Sequence, residues 1–154
     1  MKDIDEVIDG YSGRARTVLL YTQTVKRLAD AAKRPGFTAD DWAPLAALVD
    51  TGEFERVGNF KEVMNWPEYL GFLSNWAPSS SWEASFKRIS EVDGVVFLEL
   101  EERSEVGDFT SVVNSLSVYE FTDDEKIRHI DLYLQMALPN MEMLDSYSSV
   151  EISE

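Results

Sequence analysis

The sequence has no cysteine and a single histidine, His129. Without cysteine there are no disulfides, no thiol nucleophile and no thiolate metal site. Positive charge is scarce as well: 14 lysines and arginines stand against 29 acidic residues, a net charge of -15. A phosphate backbone would be repelled by such a surface, so no nucleic-acid role is expected. Long apolar runs are missing, and no membrane-spanning segment can be drawn. The opening "MKDIDEVIDG" is acidic where a signal peptide would be basic, which points to a cytoplasmic protein. The carboxylate clusters in "ELEERSE" and "FTDDEK" lack spaced histidines and an oxygen-rich loop motif. They read as solvated faces and turns, and no metal site or cofactor is expected.

What the chain does have is apolar material, 44% hydrophobic and 12% aromatic residues over 154 positions. That suits one folded domain over residues 1–154. Residues 1–12 show no firm pattern. From Arg14 to Lys33 an apolar stripe of Val18, Tyr21, Val25, Leu28 and Ala32 recurs at helical spacing, and "RPGF" ends it. A second helix is read over Trp42–Val49. Asp40 or Asp41 is preferred to Thr38 as its cap, because that keeps Pro44 in the first turn. "TGEFERVGNF" reads as a turn and a short strand. "NWPEYLGFLSNWAP" is a third helix, with Asn65 as cap, Pro67 in the first turn and Glu68 at the capping-box position.

After Pro78 the period changes to two. "SWEASFKRISEVDG", "VVFLELEERSEVG", "DFTSVVNSLSVYEFTDD" and "KIRHIDLYLQM" form four strands joined by short turns, hence an antiparallel meander. Alternation assigns Val96, Leu98, Leu100 and Glu102 to the inner face. Trp82, Ala84 and Phe86 join them, as do Ile130 and Leu132. Ile127, His129, Asp131 and Tyr133 fall on the outer face. The strand over 109–121 is ambiguous, with serines on one face and Val112, Leu116 and Val118 on the other. The tail from Ala137, with Met141, Met143, Leu144 and Tyr147, suits a short helix or flap.

Three helices followed by a curled meander that closes on "VYEFTDDEKIRHIDLYL" resemble the nuclear-transport-factor-2-like superfamily, in its SnoaL-like and limonene epoxide hydrolase-like group. The resemblance covers residues 14–136 and rests on element order and the last two strands. It implies an α+β fold, a cone-shaped α+β barrel in which the helices pack inside a curled antiparallel sheet. It also implies a pocket within the cone and a homodimer through the outer sheet face. The epoxide hydrolases' acid–arginine–acid triad falls on Glu102, Leu100 and Leu132, of which only the first ionises. The ketosteroid isomerases' base falls on Arg56. Neither mechanism carries over whole, and the polar pair that remains is Arg56 and Glu102, placed at matching depth.

The pair has a structural reading, a rim salt bridge or two separate surface charges. It also has a functional one, in which Arg56 stabilises a developing oxyanion and Glu102 moves a proton. Candidate binding residues are Tyr21, Phe54, Trp76, Trp82, Phe86, Leu98, Leu100, Ser115, Ile130 and Leu132. Trp42 and Tyr69 are assigned to the core. His129, on the outer face, belongs at or near the dimer interface rather than in the site. Two functions follow. One is a cofactor-independent acid–base enzyme of hydrolase, isomerase or cyclase type acting on a small lipophilic molecule. The other is a non-catalytic ligand-binding or dimeric assembly module.

Overall fold

The computed structural model describes residues 1–137; the tail segment with Met141, Met143, Leu144 and Tyr147 lies outside them. The elements are α1 (Ile4–Val7), α2 (Gly13–Ala31), α3 (Ala43–Ala46), β1 (Glu55–Val57), β2 (Val63–Asn65), α4 (Trp66–Trp76), β3 (Ser80–Val92), β4 (Val95–Val106), β5 (Phe109–Phe121) and β6 (Ile127–Gln135). The six strands form one curled, unclosed sheet in the order β2-β1-β6-β5-β4-β3. The meander β3 to β6 is antiparallel throughout. β1 lies parallel to β6, which makes the sheet mixed. The chain between these two strands is long, so no hairpin dictates their relative direction.

Helix α2 lies across the concave face. Its Val18, Leu19 and Leu28 are buried together with Val96 and Leu98 of β4 and Ile130 of β6 in one hydrophobic core. Helix α4 begins on a reciprocal cap: Glu68 N–H donates to Asn65 Oδ1 at 3.0 Å and Asn65 N–H donates to Glu68 Oε1 at 3.1 Å. With Pro67 in its first turn, the helix starts where the sequence places it.

Four readings change. The first residues form α1 and a 3-10 turn over Ile8–Gly10, whose Ile4 and Ile8 are buried. Two apolar residues four apart were too short a signal to read. The helix expected over Trp42–Val49 is a 3-10 turn, Ala39–Trp42, followed by α3. Thr38 caps the turn, its N–H donating to Asp41 Oδ2 at 2.7 Å. Pro44 then opens a new helix and leaves no bond unmade. β2 was not read at all. Lastly, Ile127 is fully buried and not on the outer face. Glu120 pairs with His129 but Phe121 pairs with Ile127, so Arg128 is an extra residue that reverses the alternation. A similar shift between Phe86 and Arg88 turns Ile89 inward, opposite Leu98.

On β5 the odd face is the inner one. Ser115, Ser117, Tyr119 and Phe121 are buried, while Val112 is 62% exposed. Val112 and Tyr133, the latter 58% exposed, lie on the convex side.

Candidate active site

Between α2, α4 and the concave face lies a cavity of about 220 Å³. Its walls are mostly apolar: Phe72, Leu73 and Trp76 of α4, Val25 of α2, and Leu100, Ile130 and Leu132 of the sheet. Two charged groups reach it, Arg56 from β1 and Glu102 from β4. They are not at matching depth. Arg56 is in register with Ile130, Ile130 with Tyr119, and Tyr119 with Val96. Glu102 lies well beyond Val96 along β4, opposite Val113 and Ala84. The curl of the sheet brings both side chains into one cavity from different levels. They form no salt bridge, so the rim ion pair offered as the structural reading is not present.

Glu102 is tightly held. Trp82 Nε1 donates to its Oε2 at 3.0 Å, and Ser115 Oγ donates to its Oε1 at 2.6 Å. These donors come from the two strands flanking β4, so the carboxylate is fixed from both sides. Each oxygen keeps a lone pair for a further partner.

Arg56 is held differently. Its guanidinium sits 4.9 Å from the centroid of the Tyr69 ring, a cation–π contact. No hydrogen bond or ion pair engages it among the described residues. Burial opposes its charge, but the phenolic oxygens of Tyr69, Tyr21 and Tyr119 and the Glu62 carboxylate outweigh burial and raise its pKa. Arg56 is therefore a permanent cation in a largely apolar surrounding.

Tyr21 of α2 and Tyr119 of β5 meet edge to face, ring centroids 5.9 Å apart. Burial pushes the Tyr21 phenol well above its ordinary pKa, and neighbouring Tyr69 and Tyr119 push it further. Tyr119 is raised mainly by burial too. Both hydroxyls stay protonated and serve as donors rather than bases. The Tyr21 hydroxyl is buried and without a hydrogen-bond partner.

The candidates thus divide. Tyr21, Arg56, Trp76, Trp82, Leu100, Glu102, Ile130 and Leu132 come together at the cavity. Four others do not line it. Phe54 is buried beneath, stacked on Tyr69 with centroids 5.8 Å apart, and supports the ring that carries Arg56. Leu98 is fully buried in the core. Ser115 stands behind Glu102 as its donor. Phe86 faces the amino-terminal segment, where its N–H donates to the Lys2 carbonyl at 2.7 Å and its ring packs on Tyr11. Tyr69 and Trp42 are both core, and Tyr69 also lines the cavity. Thr22, Ser104, Ser117 and Tyr119 also line it and were not singled out. The inward serines of β5 were the available signal, since a strand with polar residues on its concave face is facing something polar.

His129 lies on the convex face. Its Nδ1 is 3.3 Å from Glu55 and its Nε2 3.0 Å from Asp131. Glu120, opposite it, is paired with Arg128 at 2.8 Å. These groups form a polar cluster on the convex face, and none of them lines the cavity.

No protein-family profile matches the chain, and no curated protein matches it in sequence. Solved structures do match in fold. An LEH-like epoxide hydrolase from M. tuberculosis aligns with a TM-score of 0.62 at 14% identity, covering 79% of this chain and 82% of that one. A ketosteroid isomerase candidate from Kribbella flavida aligns at 0.60 and 14% identity, covering 83% and 82%. An NTF2-like protein of unknown function from Cytophaga hutchinsonii aligns at 0.58 and 9% identity, covering 81% and 92%. The fold is that of the nuclear-transport-factor-2-like superfamily, and the likeness is one of fold.

Proposed function

We propose that this protein binds a compact, mostly apolar molecule in its cone and performs acid–base chemistry on it without a cofactor. The observation that carries this reading is the state of Glu102. A carboxylate fixed by Trp82 and Ser115 faces a mostly apolar cavity whose other charged group, Arg56, forms no ion pair among the described residues. Fixed donors and acceptors in a water-poor site are what proton transfer next to a developing oxyanion needs. Glu102 takes or gives the proton, and Arg56 with the Tyr21 hydroxyl stabilises negative charge on oxygen. That some proteins of this fold are an epoxide hydrolase and an isomerase candidate is compatible with such a role.

The test is Glu102→Gln. Glutamine can turn its carbonyl to Trp82 Nε1 and its NH2 to Ser115 Oγ, so both contacts survive while the acid–base capacity goes. Wild type and variant are assayed on compact epoxides, β,γ-unsaturated ketones and β-hydroxy ketones. A loss in kcat of about 100-fold or more with little change in KM is the expected result. Equal turnover by the two proteins overturns the catalytic role.

The second reading is a binding module without turnover. It is favoured by one fact, that both Glu102 oxygens already accept a hydrogen bond. Under this reading ligands bind, no member of the panel is converted, and Glu102→Gln changes affinity alone.

A further inference from the structure

The cavity contains one full positive charge that no described residue meets with an ion pair or a hydrogen bond. A buried charge is ordinarily met by an opposite charge and by hydrogen bonds to all its donors. Arg56 has neither among the described residues; it rests on the face of Tyr69 at 4.9 Å. In the same wall the Tyr21 hydroxyl, on a residue only 4% exposed, has no hydrogen-bond partner among the described residues. A buried hydroxyl left unsatisfied costs stability, and with a half-buried guanidinium lining the same cavity it marks a place where an acceptor fits. Both belong to the wall of the same cavity.

We propose that the ligand carries a single carboxylate, received by the Arg56 guanidinium and the Tyr21 hydroxyl, with its apolar body lying along Phe72, Leu73, Trp76 and Leu100 toward Glu102. The inference rests on the reading of this cavity as the ligand site and narrows its substrate class. One anionic charge is what the site accommodates. Arg56 supplies one positive charge and Glu102 already places a carboxylate in the same wall, so a dianion would meet net repulsion. The planar fork of a guanidinium matches a carboxylate in a bidentate pair. Size agrees as well. At about 220 Å³ the cavity is smaller than the roughly 300–1,000 Å³ of drug-sized sites, which suits a short acid with a ring or branched chain. On a chain of net charge -15 a carboxylate has few attractive places to bind, and this cavity is one.

Isothermal titration at pH 7 decides it, using three acids and their amides: phenylacetate, cyclohexanecarboxylate and 4-methylpentanoate, each against the neutral amide of the same shape. Wild type should bind at least one acid about tenfold more tightly than its amide. Arg56→Met should abolish the preference, Arg56→Lys should keep part of it, and Tyr21→Phe should weaken the acid more than the amide. Should Arg56→Met fail to fold, the comparison of acid with amide on wild type still decides. Amides binding as tightly as acids, a preference that survives Arg56→Met, or no acid binding to wild type at millimolar concentration would each overturn the proposal. Because the readout is binding alone, it is independent of turnover. A carboxylate preference with no effect of Glu102→Gln on conversion defeats the catalytic reading and leaves this one standing. The reverse pattern does the opposite.

Discussion

Tyr21 illustrates what a binding site costs the empty protein. Its ring contributes to the core, where it meets Tyr119 edge to face, while its hydroxyl finds no acceptor. Removing the hydroxyl relieves an unmade hydrogen bond without opening a cavity of any size. Tyr21→Phe should therefore be as stable as wild type or more stable by about 1 kcal/mol, measured by urea unfolding in the absence of ligand. A loss of stability would mean the hydroxyl is already satisfied and is not held ready for a ligand. Ser115 has the contrary role. It donates to Glu102 Oε1 at 2.6 Å, and Ser115→Ala leaves one oxygen of a half-buried carboxylate without that partner. Ser115→Ala should therefore loosen the carboxylate and lower kcat about tenfold, and unchanged turnover would count against a fixed Glu102 as the proton-transfer group.

At the scale of the element, strand alternation located most of the inner wall and failed at identifiable points. The even residues Val96, Leu98 and Leu100 are buried, and they were legible because β4 keeps an unbroken period of two. Leu100→Asp should accordingly unfold the protein or leave it insoluble, since an uncompensated charge would enter the core beside Glu102; a melting temperature equal to wild type would refute its inward placement. Ile127 was misassigned because one extra residue, Arg128, interrupts the ladder, and a bulge has no marker in the residue pattern. The inner face of β5 stayed open because its serines look solvent-facing until it is known that Ser115 donates to Glu102 and Ser117 lines the cavity. Tyr69 is core, as helical spacing indicates, and it also borders the cavity, which spacing alone does not reveal. Helix α4 was the clearest element in the sequence, because its reciprocal cap and proline are local. Asn65→Ala removes the acceptor for Glu68 N–H and should cost about 1 kcal/mol in urea unfolding. That helix also carries Tyr69, the platform under Arg56, so the same variant should weaken ligand binding.

At the scale of the whole molecule, Arg14 ties three elements together. From the start of α2 its Nε and Nη2 grip both oxygens of Glu125 in the β5–β6 turn at 2.7 and 2.9 Å. Its Nη1 donates to the Gly94 carbonyl in the β3–β4 turn at 2.9 Å, and its guanidinium lies 5.1 Å from the Phe121 ring centroid. The hydrogen bond from Arg14 holds the Glu125 carboxyl below its usual range. A carboxylate depressed in the folded state stabilises above its unfolded pKa, and that contribution disappears as pH falls through the lowered value. The melting temperature of Arg14→Met should therefore lie below wild type at neutral pH. The part of the gap due to Glu125 should close in acid, below the ordinary carboxylate range. A gap of the same size in acid would show that Arg14 acts through packing alone.

The convex face raises the question of assembly. Val112 and Tyr133 are more than half exposed, so apolar side chains stand on the side of the sheet away from the helices. Such a face is costly for a monomer and suits self-association, and we propose a homodimer built on it. Charge opposes the pairing, because each chain carries -15. At about 0.1 M salt the screening length is about 10 Å, so repulsion between two such chains is only partly relieved. Dimerisation should strengthen as salt rises, the reverse of an interface held by opposite charges. Sedimentation equilibrium at micromolar concentration should show wild type dimeric, with the dimer fraction increasing between low and high salt. Val112→Glu combined with Tyr133→Glu should give a folded monomer, since neither side chain is part of the core. A wild type that stays monomeric at high salt, or a double variant that dimerises equally well, would remove the convex face as an interface and leave the cone to act alone.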